Sequence, residues 1–261
     1  MNQGRTFSRA IVRPPSPNFF TGHTTADLGK PNYSMALKQH AAYCEALERC
    51  GLTLTVLPPD SQYPDSTFVE DTAILAKRCA IITRPGADSR RGEVGTIEHE
   101  LAKSFDQIEK IEAPGTVDGG DICEAGDHFF IGISQRTNEV GARQLADALG
   151  KYGYTSEFVD VRNVKSILHL KSGVAFLNDG RFVLIDELQS FAQFRRFKSV
   201  RVGTGEEYAA NCVVLNETVL IAAGFPAIER ELTQLGCQTI SLHMSEFQKM
   251  DGGLSCLSLR F

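Results

Sequence analysis

The sequence predicts an α/β fold, and three observations carry that prediction. Segments with apolar residues spaced three and four apart alternate with short apolar runs of strand length along the 261 residues. A strand-pair module recurs, in which a polar or acidic turn precedes one apolar run, a tight turn and a second run. Marks placed at Asp71, Asp121, Leu170, Asn211 and Gly252 fall 50, 49, 41 and 41 residues apart. A fifth of the chain is about 52 residues, so that spacing suits five units closed into a ring. Alternation alone favours a doubly wound sheet, the commoner architecture; the spacing moves the reading part of the way toward a radial arrangement.

Taken in order, Leu37, Ala41, Cys44 and Leu47 share one face of a first helix, which Gly51 closes before the strand run 52–57. Thr67–Leu75 and Cys79–Ile82 make a strand pair, followed by a helix on Val94, Ile97, Leu101 and Phe105. Gly119–Cys123 leads to a second pair at 129–132, then to a helix on Ala142, Leu145, Leu149 and Tyr152. Leu168–Phe176 with 181–184 forms the third pair, with His169 inside its strand-like alternation. The spacing of Leu188, Phe191, Phe194 and Phe197 then predicts a further helix. Asn211–Leu215 and 218–221 form the fourth pair, followed by a helix on Ile228, Leu232 and Leu235. A fifth unit begins at Gly252 and is completed by the N-terminal run Ala10-Ile-Val12. No linker or low-complexity segment divides the chain, so residues 1–261 are read as a single domain.

Composition narrows the function. With 42% hydrophobic and 23% charged residues the chain is a folded protein, and a net charge of −5 without blocks of like charge disfavours nucleic acid or an anionic membrane as partner. Seven cysteines, an odd number without any C-x-x-C pair, suggest neither a disulfide framework nor structural zinc and fit a reducing compartment. The N-terminus lacks an apolar stretch of signal-peptide length and no run approaches a membrane span, so the cytoplasm is the expected location.

Four groups of residues suit chemistry. Asp65, Glu70 and Asp71 in Pro64-Asp-Ser-Thr-Phe-Val-Glu-Asp71 bracket an apolar run, and adjacent carboxylates at a strand mouth call for a cation. A planar guanidinium matches paired carboxylates best, although by themselves these residues read more simply as a solvated turn. Arg90 and Arg136 lie in loops leading from a strand toward a helix, where a guanidinium can hold a ligand carboxylate; surface charge is the equal alternative. Paired glycines at Gly119-Gly120 and Gly252-Gly253 allow close backbone approach, the second pair placing Cys256 at a strand mouth. Asp118, His169 and Cys256 constitute a conceivable thiol, imidazole and carboxylate set, but such sets are defined by geometry. Neither metal-ligand spacing nor a phosphate-binding glycine loop is present.

Seven segments in matching order, Pro64–Asp71, Ile82–Arg91, Thr116-Val-Asp-Gly-Gly-Asp121, Arg136-Thr-Asn138, Leu168-His-Leu-Lys171, Ala209-Ala-Asn-Cys212 and Asp251-Gly-Gly-Leu-Ser-Cys256, closely resemble the dimethylarginine dimethylaminohydrolase family of the guanidino-modifying, or pentein, superfamily. The resemblance implies a five-bladed α/β propeller with pseudo-fivefold symmetry and a substrate channel on its axis. It implies Cys256 as nucleophile, His169 as general acid and base, and Asp118 as the carboxylate holding guanidinium and neighbours in place. It further implies Glu70 and Asp71 on the guanidinium side, Asp65 as a further substrate contact, Arg90 and Arg136 on the amino acid carboxylate, and the Met250 carbonyl near the α-amino group. The implied reaction is hydrolysis of N(omega)-methylated arginine through a covalent thiouronium, with no metal or organic cofactor. Two departures stand out. Asp118 occupies a position where the compact bacterial members have Glu, which implies a shifted substrate pose, and His23 in the lid segment 19–30 stands about where a leucine is usual.

Two alternatives share the fold. An arginine deiminase would use the same residues to release ammonia, but such enzymes are longer chains. A non-catalytic binding protein would not need Cys256, His169 and Asp118 together. The sequence leaves the oligomeric state open, a homodimer being compatible with it.

Overall fold

In the computed structural model, which describes residues 5–261, the strands form five three-stranded sheets. β1 (Arg9–Val12) leads through α1 (Tyr33–Arg49) to β2 (Thr53–Val56), which lies parallel to it. The other sheets share one path: an inner strand, an antiparallel middle strand, a helix and a parallel outer strand. In the second this path runs through β3 (Ala73–Leu75), β4 (Ala80–Ile82), α2 (Val94–Leu101) and β5 (Ile108–Lys110). The third comprises β6 (Ile122–Ala125), β7 (His128–Ile133), α3 (Glu139–Lys151) and β8 (Thr155–Asp160). The fourth comprises β9 (Val174–Phe176), β10 (Arg181–Ile185), α4 (Asp186–Gln189) and β11 (Lys198–Val202). The fifth comprises β12 (Val213–Leu215), β13 (Thr218–Ala222), α5 (Pro226–Gln234) and β14 (Gln238–Leu242). After α6 (Ser245–Gln248), β15 (Ser258–Arg260) returns to pair antiparallel with β1, Ile11 facing Leu259, so the ring is closed by the two ends of the chain. This is a five-bladed α/β propeller, as the spacing and the resemblance led one to expect.

Local chemistry explains the elements. The Asn32 and Asn138 side chains cap α1 and α3, accepting from the Met35 and Gly141 amides at 3.0 and 2.8 Å. Pro226 opens α5, where its missing N–H costs nothing. Buried faces of helix and sheet pack together, as where Ala142, Leu145 and Leu149 of α3 meet Phe129 and Ile131 of β7. No described helix is long and apolar enough to cross a membrane.

Two local expectations fail. The helix expected through Phe197 stops at Gln189, and the chain then turns so that Phe194 stacks on Phe130 and Phe182 with centroids 5.3 and 5.2 Å away. Aromatic burial outweighs continuation of a helix there. The strand expected around His169 is absent, because the Leu170 amide donates to the Asp121 side chain at 3.0 Å instead of entering a ladder.

A 3-10 turn precedes each inner strand: Val69–Thr72, Gly119–Asp121, Leu170–Ser172, Glu207–Ala210 and Ser255–Leu257. The marks that revealed the repeat stitch these turns together. Asp71 Oδ1 accepts from the Gly120 amide at 2.9 Å, Asp121 Oδ1 from Leu170, and Asn211 Oδ1 from Ser255 at 2.9 Å. Leu170 has no side-chain acceptor, and there the stitch runs backwards, Asn211 Nδ2 donating to the Lys171 carbonyl at 2.8 Å. Ser255 Oγ completes the circle by donating to Glu70 Oε2 at 2.7 Å.

Candidate active site

The turns carry polar side chains on short backbone, so their functional groups converge where the blades meet. A cavity of about 30 Å³ at this meeting point is lined by nine of the ten residues expected at the site. Cys256 comes from the last turn, His169 and Asp118 stand at the N-terminal ends of their turns, and Asp71 lies within the first. Asp65, Arg90, Arg136, Met250 and His23 reach it from loops.

Glu70 is the exception. Its carboxylate faces the opposite side of the turn layer, accepting from Lys171 Nζ at 2.5 Å, Arg260 Nη2 at 2.9 Å and Ser255 Oγ. It lines a separate cavity of about 650 Å³ instead. The reason is alternation: neighbours in the tight Val69–Thr72 turn cannot both point the same way, and Asp71 takes the catalytic side.

The acids on that side are tightly held. Asp118 Oδ1 accepts from the Gly86 amide at 2.8 Å and Oδ2 lies 3.1 Å from His169 Nε2. Burial alone would lower the His169 pKa, but Asp71, the bond to Asp118 and the nearby Asp121 outweigh it and push it up to about 9. Burial likewise opposes ionisation of Asp118, yet the His169 bond and charge hold its pKa below the usual carboxylate value. The imidazole is therefore a cation at neutral pH, with both partners charged. Gly120 makes room for the ring: a Cβ there would sit 2.7 Å from His169 Nδ1.

Cys256 accepts from the Gly253 amide at 3.4 Å and makes no hydrogen bond to His169 among the described residues. Burial, then the charges of Glu70 and Asp71, push its thiol up to about 12, so these surroundings favour the protonated thiol at neutral pH. Thiol and imidazole line one cavity. Three neighbours not expected at the site support the thiol loop: Tyr208 Oη donates to the Gly252 carbonyl at 2.7 Å, while Asn211 and Ser255 bond each other. Asn211 was visible as a repeat mark and, like Ser255, inside a segment that resembles the family, whereas Tyr208 carried no signal.

The two arginines differ. The Arg90 guanidinium is buried in a fork with Glu93 at 3.0 and 2.8 Å, an ion pair with Asp71 at 2.5 Å and a bond to the Phe68 carbonyl. Most of its donors are occupied, and Glu93, which sequence reading passed over, is the cause. The half-buried Arg136 side chain makes no hydrogen bond or ion pair among the described residues. Over the cavity, the His23 amide donates to both Asp65 oxygens at 3.1 Å, His23 Nε2 lies 2.7 Å from Ser89 Oγ, and Thr25 bonds Asp251. Ligand atoms of Asp71, Asp118 and His169 lie within 4.8 Å of one another, so they could hold a cation; protonation of His169 works against that at neutral pH.

A family model described as arginine deiminase matches residues 63–219. The N(G),N(G)-dimethylarginine dimethylaminohydrolase of Pseudomonas aeruginosa is 45% identical across 98% of this chain and 100% of its own. A solved structure of the P. aeruginosa enzyme, a cysteine-to-serine variant complexed with citrulline, superposes with a TM-score of 0.96 at 44% identity, covering 98% of this chain and 100% of that one. Another, the adduct of a histidine-to-glycine dimethylarginine dimethylaminohydrolase with S-methyl-L-thiocitrulline, superposes with a TM-score of 0.95 at 45% identity and the same coverage. Identity at this level over nearly the whole length, on the same ring of sheets, means that the chain belongs to the dimethylarginine dimethylaminohydrolase family of the pentein superfamily.

Proposed function

We propose that this protein hydrolyses N(omega)-methylated L-arginine, asymmetric dimethylarginine and monomethylarginine, to L-citrulline and dimethylamine or methylamine. The observation that carries the proposal is the meeting of Cys256 and a charged His169 on one cavity walled by Asp71 and Asp118. A guanidinium entering it supplies the positive charge that the carboxylates lack, and that charge beside Cys256 favours loss of the thiol proton to solvent. The thiolate then attacks the guanidinium carbon. His169 donates its proton to the departing dimethylamine as the C–N bond breaks, leaving a thiouronium on Cys256. Neutral His169 next takes a proton from water, whose oxygen adds to the same carbon, and the C–S bond breaks to release citrulline. Unengaged Arg136 is the principal partner of the substrate carboxylate, Arg90 contributing its remaining N–H. The Met250 carbonyl, which accepts no hydrogen bond among the described residues, is placed for the α-amino group. Asp65 and His23 act together as the closed lid.

The shared sheet of the two chain ends supports reading residues 1–261 as one catalytic domain, and seven unpaired cysteines support a cytoplasmic location. Because the arginine deiminase model covers part of the chain, ammonia release from unmethylated arginine is the second reading. Incubation with asymmetric dimethylarginine and, separately, with arginine decides between them. Citrulline with dimethylamine from the first alone, absent with Cys256→Ser, is expected; preference for arginine would reassign the enzyme as a deiminase.

A further inference from the structure

The larger cavity, on the far side of Glu70 from the thiol, holds about 650 Å³, a volume typical of small-molecule sites. Its floor is built from charge. Lys171 and Arg260 both donate to the same Glu70 oxygen, so two cations share one carboxylate and the floor carries one positive charge in excess. At the rim Arg5 and Glu124 pair at 2.8 Å and cancel, and Asp179, which also lines the cavity, is paired with Arg181 at 3.0 Å. Lys171 Nζ makes no other hydrogen bond among the described residues, although an ammonium has three donors. The walls above are apolar, with Ile74, Phe176 and Val214 among them.

We propose that this cavity is a second ligand site, taking a small carboxylate with an apolar body whose oxygens bond Lys171 and Arg260. The two sides of the turn layer thus take opposite charges: the thiol side an organic cation, the far side an organic anion. Glu70 couples them. A carboxylate that draws Lys171 away leaves Glu70 less compensated beside Cys256, whose thiolate Glu70 disfavours and Lys171 favours. The site goes beyond the proposed reaction and does not depend on it.

Benzoate is the probe, followed by saturation-transfer NMR on the full-length protein, a readout that needs no turnover. Binding in the low-millimolar range is expected, persisting under saturating L-citrulline and weakened at least about tenfold in Lys171→Met, which removes the charge-assisted bond. Val214→Phe, which fills the cavity without touching its charges, should weaken it equally and decides the matter if Lys171→Met does not fold. Displacement of benzoate by citrulline, absence of binding at about 10 mM, or undiminished binding in Val214→Phe would each overturn the proposal.

Discussion

The two cavities flanking the turn layer are built from the same repeated turns, yet they balance charge in opposite ways. On the thiol side Asp65, Asp71, Glu93 and Asp118 surround Arg90 and His169, and the acids are fixed by amides of Gly86, Gly120 and His23. On the other side Lys171 and Arg260 converge on Glu70 alone. Four acids there meet only two cations, and the backbone donors hold carboxylates without neutralising them, so the first arrangement stays anionic and ready for a guanidinium. Side-chain cations that hold a carboxylate neutralise it, so the second anchors structure. Adjacent residues of one turn, Glu70 and Asp71, thus serve different ends.

That contrast is broken most sharply at the thiol. Cys256→Ala should lower kcat by on the order of 10⁴-fold or more with an unchanged melting temperature, because no other group can form the covalent intermediate. Residual turnover within tenfold of the parent would mean that another nucleophile acts. Glu70→Gln should do the reverse, costing about 3–5 kcal/mol of stability in urea unfolding as Lys171 and Arg260 lose their shared buried carboxylate. A cost below about 1 kcal/mol would erase the distinction between a structural and a catalytic acid.

Arg136→Met should raise KM by roughly 10- to 100-fold with little change in kcat, the mark of a bond made equally in ground and transition states. An equal loss in kcat would place Arg136 nearer the reacting atoms. The last test uses pH. With the thiol pushed up to about 12, alkylation of the free enzyme by iodoacetamide should quicken about tenfold per pH unit between pH 7 and 10, since the thiolate fraction rises that way below the pKa. A plateau near pH 8 would show a thiol already activated before substrate arrives.

Much of this was legible beforehand. The repeat was visible because Asp71, Asp121 and Asn211 each bond the amide of the next turn, a local requirement that writes itself into spacing. The site residues were legible as types whose chemistry suits a guanidinium, and as segments resembling one family. What misled was local pattern: the Leu188–Phe197 spacing looked helical, and the residues around His169 looked like a strand. Both were overruled by partners distant in sequence, Phe130 and Asp121.

The sequence by itself determined the alternation of helices and strands, the five-unit period and the set of groups able to do guanidinium chemistry, because propensity, periodicity and side-chain chemistry are local. Only the tertiary structure decided that Asp71 faces Cys256 while Glu70 turns away, and that Arg90 is claimed by Glu93 while Arg136 is left unengaged. It also decided that His169 is charged and Cys256 is not. Those outcomes follow from burial and from the sum of charges brought within a few ångströms by closing the ring, and neither exists until residues 49 to 190 positions apart are in contact.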